Sequence, residues 1–383
     1  MRGQKSRRLS FTNSLTDKNG TLAIRLLKML CEKNPSKNVC YSPMNISSTL
    51  AMLLLGAKGN TEIQILQVID VCAESGVHRK LQWLLSILNK PTRKYSLRVA
   101  SRLFAENTCE FLPTFKESCL QFYKSELEQL SFAKDAEESR KHINTWVSKQ
   151  TKGKIPELLS EDSVDSQTRL VLVNATYFKG RWHRQFDIKS TREMLFKINE
   201  KEKRPVQMMC QEHTFKLAYV SEVQAQVLLL PYKGKDLNML VLLPDDGVDL
   251  SQVENNLTFM KLKAWTRPDF MKNTKVSVFL PKFKLQEDYD MESVFQHLGI
   301  MNVFQEGKVD LSGMSPVKDL CVSKIVHQSV VEVNEEGTEA AATLNAVNEK
   351  LQHGVFCADR PFLFFIRHNK TNTILFCGRF SSP

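Results

Sequence analysis

The chain of 383 residues has no apolar run approaching the ~18 residues of a membrane span, and its longest, near 51–57 and 239–244, fall far short. Its basic start (Arg2, Lys5, Arg7, Arg8) is followed by no apolar stretch, so no secretory leader is expected there. Cysteine pairing signals are missing too. The nine cysteines are scattered from Cys31 to Cys377 with no CxxC and no metal-ligand spacing. An odd, scattered set reads as reduced thiols in a cytoplasmic chain that could also enter the nucleus. On that expectation the five NxS/T sequons, at Asn19, Asn45, Asn174, Asn256 and Asn369, are chance matches. Glycine and proline, at 15 and 13, are not enriched, and no repeat or low-complexity tract occurs. Collagen-like, solenoid and propeller architectures are thereby excluded. GxSxG, HExxH, Walker and GxGxxG patterns are all absent, so the sequence offers no enzyme template and implies no metal or cofactor.

What is present is an ordinary globular composition, 42% apolar and 25% charged, in a chain long enough to bury a large core without disulfides. The formal charge is +11, four of it from the first eight residues. Such a balance permits attraction to acidic partners. No RNP, zinc-finger or homeodomain pattern makes that specific, so no specific nucleic-acid partner is expected and the charge reads as a generally basic surface.

Residues 22–33 carry apolar side chains at 22, 26, 27 and 30, the spacing of an amphipathic helix, with Asn19 or Thr21 as its cap. Residues 1–18 then form a basic, flexible extension. Residues 46–55 are apolar nearly all round, which predicts a buried helix. Asp135 with Glu138 opens a helix that carries Ile143, Trp146 and Val147 on one face and ends at Gly153. Strands are expected at 169–178, at 227–230 and 237–243 as a hairpin, and at 362–366 and 373–380 turning through 368–372. Helices dominate the first half and strands the second, with no linker between them. The expectation is one α+β domain over residues 19–383, monomeric.

Candidate chemistry is sparse. His142 lies among helix charges and reads as solvated. Ser42 and His327 resemble half of a nucleophile–base pair, but one begins a buried helix and the other sits in an apolar strand, where a core hydrogen bond fits better. Asp245-Asp246 and Glu287-Asp288 read as solvated turns. The anomaly is the stretch between Val333 and Phe356, too long and too irregular for an ordinary connection in a compact domain. Within it Thr338, Ala340, Ala342, Leu344, Ala346 and Asn348 are uncharged and mostly small, whereas Glu339 and Glu349 fall at odd positions. Strand side chains alternate faces, so one face of this segment can be buried while both glutamates stay in water.

The stretch Asn334-Glu-Glu-Gly-Thr-Glu-Ala-Ala-Ala342 resembles the reactive-loop hinge of inhibitory serpins. Five other stretches fit the same family: Tyr41-Ser-Pro-Met-Asn-Ile-Ser47, Val171-Leu-Val-Asn-Ala-Thr-Tyr-Phe-Lys-Gly-Arg-Trp182, Leu280-Pro-Lys-Phe283, Phe356-Cys-Ala-Asp-Arg-Pro-Phe-Leu-Phe-Phe-Ile366 and the final Phe376-Cys-Gly-Arg-Phe-Ser-Ser-Pro383. The resemblance covers nearly the whole chain and points to the intracellular, ovalbumin-like group that includes the granzyme B inhibitor and its paralogues. It implies the serpin fold, with three β-sheets, roughly nine helices and an exposed reactive-centre loop near 337–355. It also implies inhibition of a serine protease, chymotrypsin-like or granzyme-type, through a covalent acyl complex followed by loop insertion. Gly337 would be the pivot, and Thr338, Glu339, Ala340, Ala341 and Ala342 the hinge. Trp182, Lys282 and Glu335 would stand at the top of the sheet, while Ser42, Asn45, Asn174 and His327 match the cluster that controls sheet opening. Two departures stand out. The family carries a serine where this chain has Asn45, and the loop from Gly337 to Phe356 is a few residues short. Counting forward from Gly337 puts the cut at Leu351–Gln352, whereas counting back from Phe356 moves it to Asn348, with Glu349 and Lys350 between.

Overall fold

The computed structural model describes residues 2–70, 76–90, 92–318, 320–336 and 354–383, with side chains from residue 15 onward. In chain order the elements of the first half are α1 (Arg2–Lys33), β1 (Val39–Tyr41), α2 (Pro43–Gly56), α3 (Gly59–Ile69), α4 (Val77–Leu88), β2 (Tyr95–Glu106), α5 (Pro113–Tyr123), β3 (Leu127–Leu130), α6 (Ala136–Gln150) and β4 (Leu170–Gly180). There follow β5 (Arg192–Lys197), β6 (Lys203–Val220), β7 (Ala225–Pro231), β8 (Leu237–Pro244), α7 (Leu250–Asn256), α8 (Phe259–Trp265), β9 (Lys272–Pro281), β10 (Phe283–Asp290) and α9 (Met291–Leu298). The last strands are β11 (Lys324–Val333), β12 (Gly354–Cys357), β13 (Phe362–His368) and β14 (Thr373–Phe380). No described helix is long and apolar enough to cross a membrane.

Five strands pair in the order β10-β11-β4-β2-β3, and nine join in a second array, β1-β14-β13-β8-β7-β6-β9-β12 with β5 on β6. Strand β6 changes partners along its length: residues 203–208 pair with β5, 208–217 with β9 and 216–220 with β7. The nine-stranded array is continuous through β6, whose two ends hold its two limbs together, so strand pairing gives two connected sheets among the described residues where the resemblance implied three. The hairpin expected at 227–243 is β7–β8, and the C-terminal one is β13–β14.

Both faces of the five-stranded sheet are covered. On β4, Leu170, Leu172 and Phe178 enter the main core, while Val171, Val173, Ala175 and Tyr177 join a second cluster with Ile143 and Val147 of α6. A strand buried on both sides reads as a continuous apolar run rather than an alternating one, which is how residues 169–178 look in the sequence. Helix α6 starts as expected, with Asp135 Oδ1 accepting the Glu138 N–H at 3.0 Å. Gly153, at φ +74°, lies just past its end and donates to Ser148 O.

Two local expectations are corrected. Helix α1 runs from Arg2, so Asn19 and Thr21 lie inside it and cap nothing. The Asn19 amide oxygen accepts from Ser47 Oγ on α2 at 2.8 Å, so a tertiary partner satisfies the group that a cap would have used locally. Leu15 and Thr16, ahead of residue 19, are already buried. Gly20 permits this close packing: a Cβ there would meet the Phe259 ring of α8 at 2.3 Å. The second correction concerns Glu287-Asp288, which lies in strand β10 and not in a turn. Alternation carries Glu287 to the same side as Leu285, and burial, with Asp288 beside it, pushes its carboxyl up to about 7. Asp245 and Asp246 do occupy a turn, bonded to Tyr219 and paired with Lys197 respectively. His142 is half-exposed beside Glu128, as a solvated helix residue should be.

Candidate functional site

Helix α2 is buried almost throughout, because its sequence is apolar nearly all round and Pro43 pre-sets its first turn. Its few hydroxyls need partners: Ser48 Oγ and Thr49 Oγ1 donate back to the carbonyls of Met44 and Asn45. It packs across β4, which pairs in parallel with β11 over nine positions, from Lys324↔Val171 to Glu332↔Lys179. His327 stands opposite Asn174 in that register.

The four residues expected in the opening cluster do meet. The Ser42 backbone N–H donates to His327 Nε2 at 3.0 Å, and His327 Nδ1 lies 3.0 Å from Asn174 Oδ1. A backbone amide can only donate, so Nε2 carries no proton and Nδ1–H donates to Asn174. The Asn174 amide nitrogen then donates to Asn45 O and to Thr49 Oγ1, each at 3.1 Å. Asn45 Nδ2 reaches across to Thr176 Oγ1 on β4. The residue that departs from the family pattern thus adds a second tie between α2 and the sheet. The imagined Ser42–His327 catalytic pair is not supported: the contact uses the serine backbone, and Ser42 and His327 are 3% and 1% exposed, beyond the reach of a substrate.

Burial pushes His327 down from 6.5 to about 3. Between those values the unfolded chain binds a proton that the folded chain refuses, so stability is full above pH 6.5 and falls as pH drops. A slope near ~1.4 kcal/mol per pH unit is expected from this residue. Urea unfolding of the wild type and of His327→Gln from pH 7 to 4 measures it; identical slopes for the two would contradict a His327 that stays neutral in the folded chain. Asn174→Ala is expected to cost about 2–4 kcal/mol, because it orphans His327 Nδ1–H and removes both donations to α2, at Asn45 O and Thr49 Oγ1, within a dry network. Asn45→Ser, which removes only the tie to Thr176, should cost about 1 kcal/mol. Denaturant midpoints check the order, and a larger loss from Asn45→Ser would refute this wiring.

The sheet-top residues also converge. Trp182 Nε1 donates to Asn334 O at 2.8 Å, and its ring stacks on Tyr232 with centroids 4.5 Å apart. Lys282, at the junction of β9 and β10, pairs with the buried Glu335 at 3.1 Å, and Thr191 Oγ1 donates to the same carboxylate. Burial raises the Glu335 carboxyl, but its own backbone N–H, Lys282 and Thr191 outweigh that and hold it low. Asn334–Glu336 are therefore clamped where they leave β11. Gly337, the hinge Thr338, Glu339, Ala340, Ala341 and Ala342, and the cut positions Asn348, Glu349, Lys350, Leu351 and Gln352 lie outside the described residues.

Thr176, Ser329 and Thr49 belong to the cluster but were not anticipated. Ser329 Oγ lies 3.0 Å from His327 Nε2. A period-two scan of polar residues in the apolar strands would have found Thr176 beside Asn174 and Ser329 beside His327, and helical spacing would have added Thr49 to Asn45. Nothing local marks Thr191.

Comparison with known proteins agrees with this geometry. The model of the serpin (serine protease inhibitor) family matches residues 17–383. Human Serpin B9 is 65% identical over 374 residues, covering 97% of this chain and 100% of the relative. Human Serpin B8 is 54% identical with the same coverage of both chains. A crystal structure of uncleaved ovalbumin superimposes with a TM-score of 0.92 at 38% identity, covering 96% of this chain and 100% of that one. With the family model matching residues 17–383 and relatives 65% and 54% identical over nearly the whole chain, the chain belongs to the serpins, the serine protease inhibitor family.

Proposed function

We propose that this protein inhibits a serine protease by offering residues 337–353 as a suicide substrate. The observation that carries it is the closed parallel pair β11–β4, with the chain leaving β11 at the clamp formed by Trp182, Lys282 and Glu335. A segment that turns back there would run antiparallel to both strands if it entered between them. It would replace one parallel ladder with two antiparallel ones, which are slightly more stable per residue. From Thr338 to Leu351 is 13 steps, roughly 43 Å of strand, against about 33 Å for the ten residues of β11. Gly337 supplies the turn and the small hinge residues enter first.

The protease serine attacks the Leu351 carbonyl and the Gln352 amine leaves, so the loop is held as an ester on the enzyme. Insertion of the cut loop then carries the protease away before water completes hydrolysis. Leu351 points to chymotrypsin-like targets. Glu349 would suit an acid-preferring granzyme, Lys350 a trypsin-like enzyme and Asn348 an asparagine-preferring one. A panel of these proteases scored for a complex that survives SDS tests the function, and mass spectrometry of the released peptide tests the bond. A peptide starting at Gln352 is expected. Cleavage by every protease without a stable complex would make the protein a substrate or an interaction module instead. The eight described cysteines are all free, in keeping with a reducing cytoplasm, and access to the nucleus belongs to the same proposal. The inhibitor is taken as a monomer.

A further inference from the structure

The basic balance is not spread over the surface. Four backbone segments meet beside the sheet top: Arg181 N–H donates to Lys94 O, Lys233 N–H to Arg181 O, and Asn369 N–H to Asp236 O. They bring Arg93 and Lys94 before β2, Arg181 and Arg184 after β4, Lys233 and Lys235 in the β7–β8 turn, and Lys370 in the β13–β14 turn onto one face. All but the half-buried Lys94 are exposed. Among the described residues interleaved with these cations, up to Arg184 in the β4–β5 connection, the one carboxylate is Asp236, which takes Lys94 at 2.7 Å and Lys370 at 3.9 Å. Seven cations less one carboxylate leave +6, and with the +4 of the first eight residues this accounts for all but +1 of the chain's +11. Neighbouring acids are already matched, Glu336 by Lys179 and Glu335 by Lys282. The exposed His183 is held below its ordinary range by partial burial and then by Lys235 and Arg184, so their charge reaches across the cluster.

The chemistry around the charge narrows the partner. Immediately around these cations, at residues 92–95, 181–184, 232–236 and 368–371, no large apolar side chain is exposed to serve a protein partner or a bilayer as an anchor; Ile188 is exposed only further along the β4–β5 connection. Their aromatics, Trp182 and Tyr232, are buried against each other, so unpaired bases have no stacking platform. No helix projects here to read a major groove. What remains is a set of long cationic side chains suited to backbone phosphates, in a protein assigned above to a compartment that holds nucleic acid.

We propose that this cluster is a sequence-independent docking surface for double-stranded nucleic acid, held through its phosphates. The test is fluorescence anisotropy of the full chain with a labelled 20-base-pair DNA duplex from 50 to 200 mM salt. About five phosphate contacts give a slope of log K against log salt near −4 to −5. The exposed triple variant Arg181→Gln, Lys233→Gln, Lys235→Gln should bring it to about −2 and weaken binding at least tenfold at 100 mM salt. If its thermal midpoint shifts, the double variant Lys235→Gln, Lys370→Gln should still remove about two units of slope. Neutralising Arg2, Lys5, Arg7 and Arg8 to Gln should leave the slope unchanged. The reverse pattern, with binding lost in the N-terminal variant alone, would overturn the proposal. So would no measurable binding by the wild type at 50 mM salt, tighter binding to a single strand of equal length or to anionic vesicles, or a preference for one duplex sequence. None of these outcomes depends on protease inhibition.

Discussion

A single cut between residues 343 and 351 is expected to raise the unfolding midpoint by about 10 °C or more. Before the cut, β11 and β4 share one parallel ladder of nine register pairs. Afterwards a strand lies between them and pairs on both edges, for a net gain on the order of ten hydrogen bonds at ~1 kcal/mol each. Unfolding entropy near ~2 cal/mol/K per residue gives roughly 0.8 kcal/mol/K for a chain of 383 residues, so ~10 kcal/mol moves the midpoint by about 12 °C. Burial of the uncharged even face adds to this. Limited proteolysis followed by a melting curve measures the shift. An unchanged midpoint after a verified cut would sink insertion and with it the inhibitory mechanism.

Thr338→Arg is expected to turn the inhibitor into a substrate, lowering the yield of stable complex by about a hundredfold, whereas Glu339→Arg should lower it only a few fold. The difference follows from the two faces at the top of the β11–β4 pair. Inward lie Phe178, Val331 and Val333, all in the main core. Outward lie Lys179 and Glu332, whose side chains keep 25% and 18% of their exposure. An arginine on the inward face would be desolvated without a partner at a cost of several kcal/mol, equivalent to a hundredfold or more in partition between trapping and hydrolysis. The outward face already holds charge of both signs. Equal loss from the two variants, with both folded as judged by their midpoints, would contradict the assignment of faces.

Much of the scaffold was legible because its elements are specified locally. Helix α2 announces itself by apolar residues all round, and α6 by the Asp135–Glu138 pair. The β7–β8 and β13–β14 hairpins follow from apolar runs separated by short polar turns. Where tertiary contact outweighed local preference, the expectation failed. Asn19 did not begin α1 because Ser47 supplied the partner that a cap would have needed. Glu287 was drawn into β10 by the register of a strand whose neighbours Phe283 and Leu285 are buried.

The sequence by itself determined the family, the alternation of uncharged and charged residue types over 338–348, and the residue types at the buried polar cluster and the sheet top. Each of these depends on residue identity and spacing along one chain. The tertiary structure decided which nitrogen of His327 carries the proton, because the deciding donor, the Ser42 amide, lies 285 positions away. It also decided that Asn45 ties α2 to Thr176, and that turns more than 270 residues apart, from Arg93 to Lys370, gather into one cationic face. Charge and hydrogen bonding act through space at a few ångströms, and chain separation sets no limit on which groups the fold brings that close.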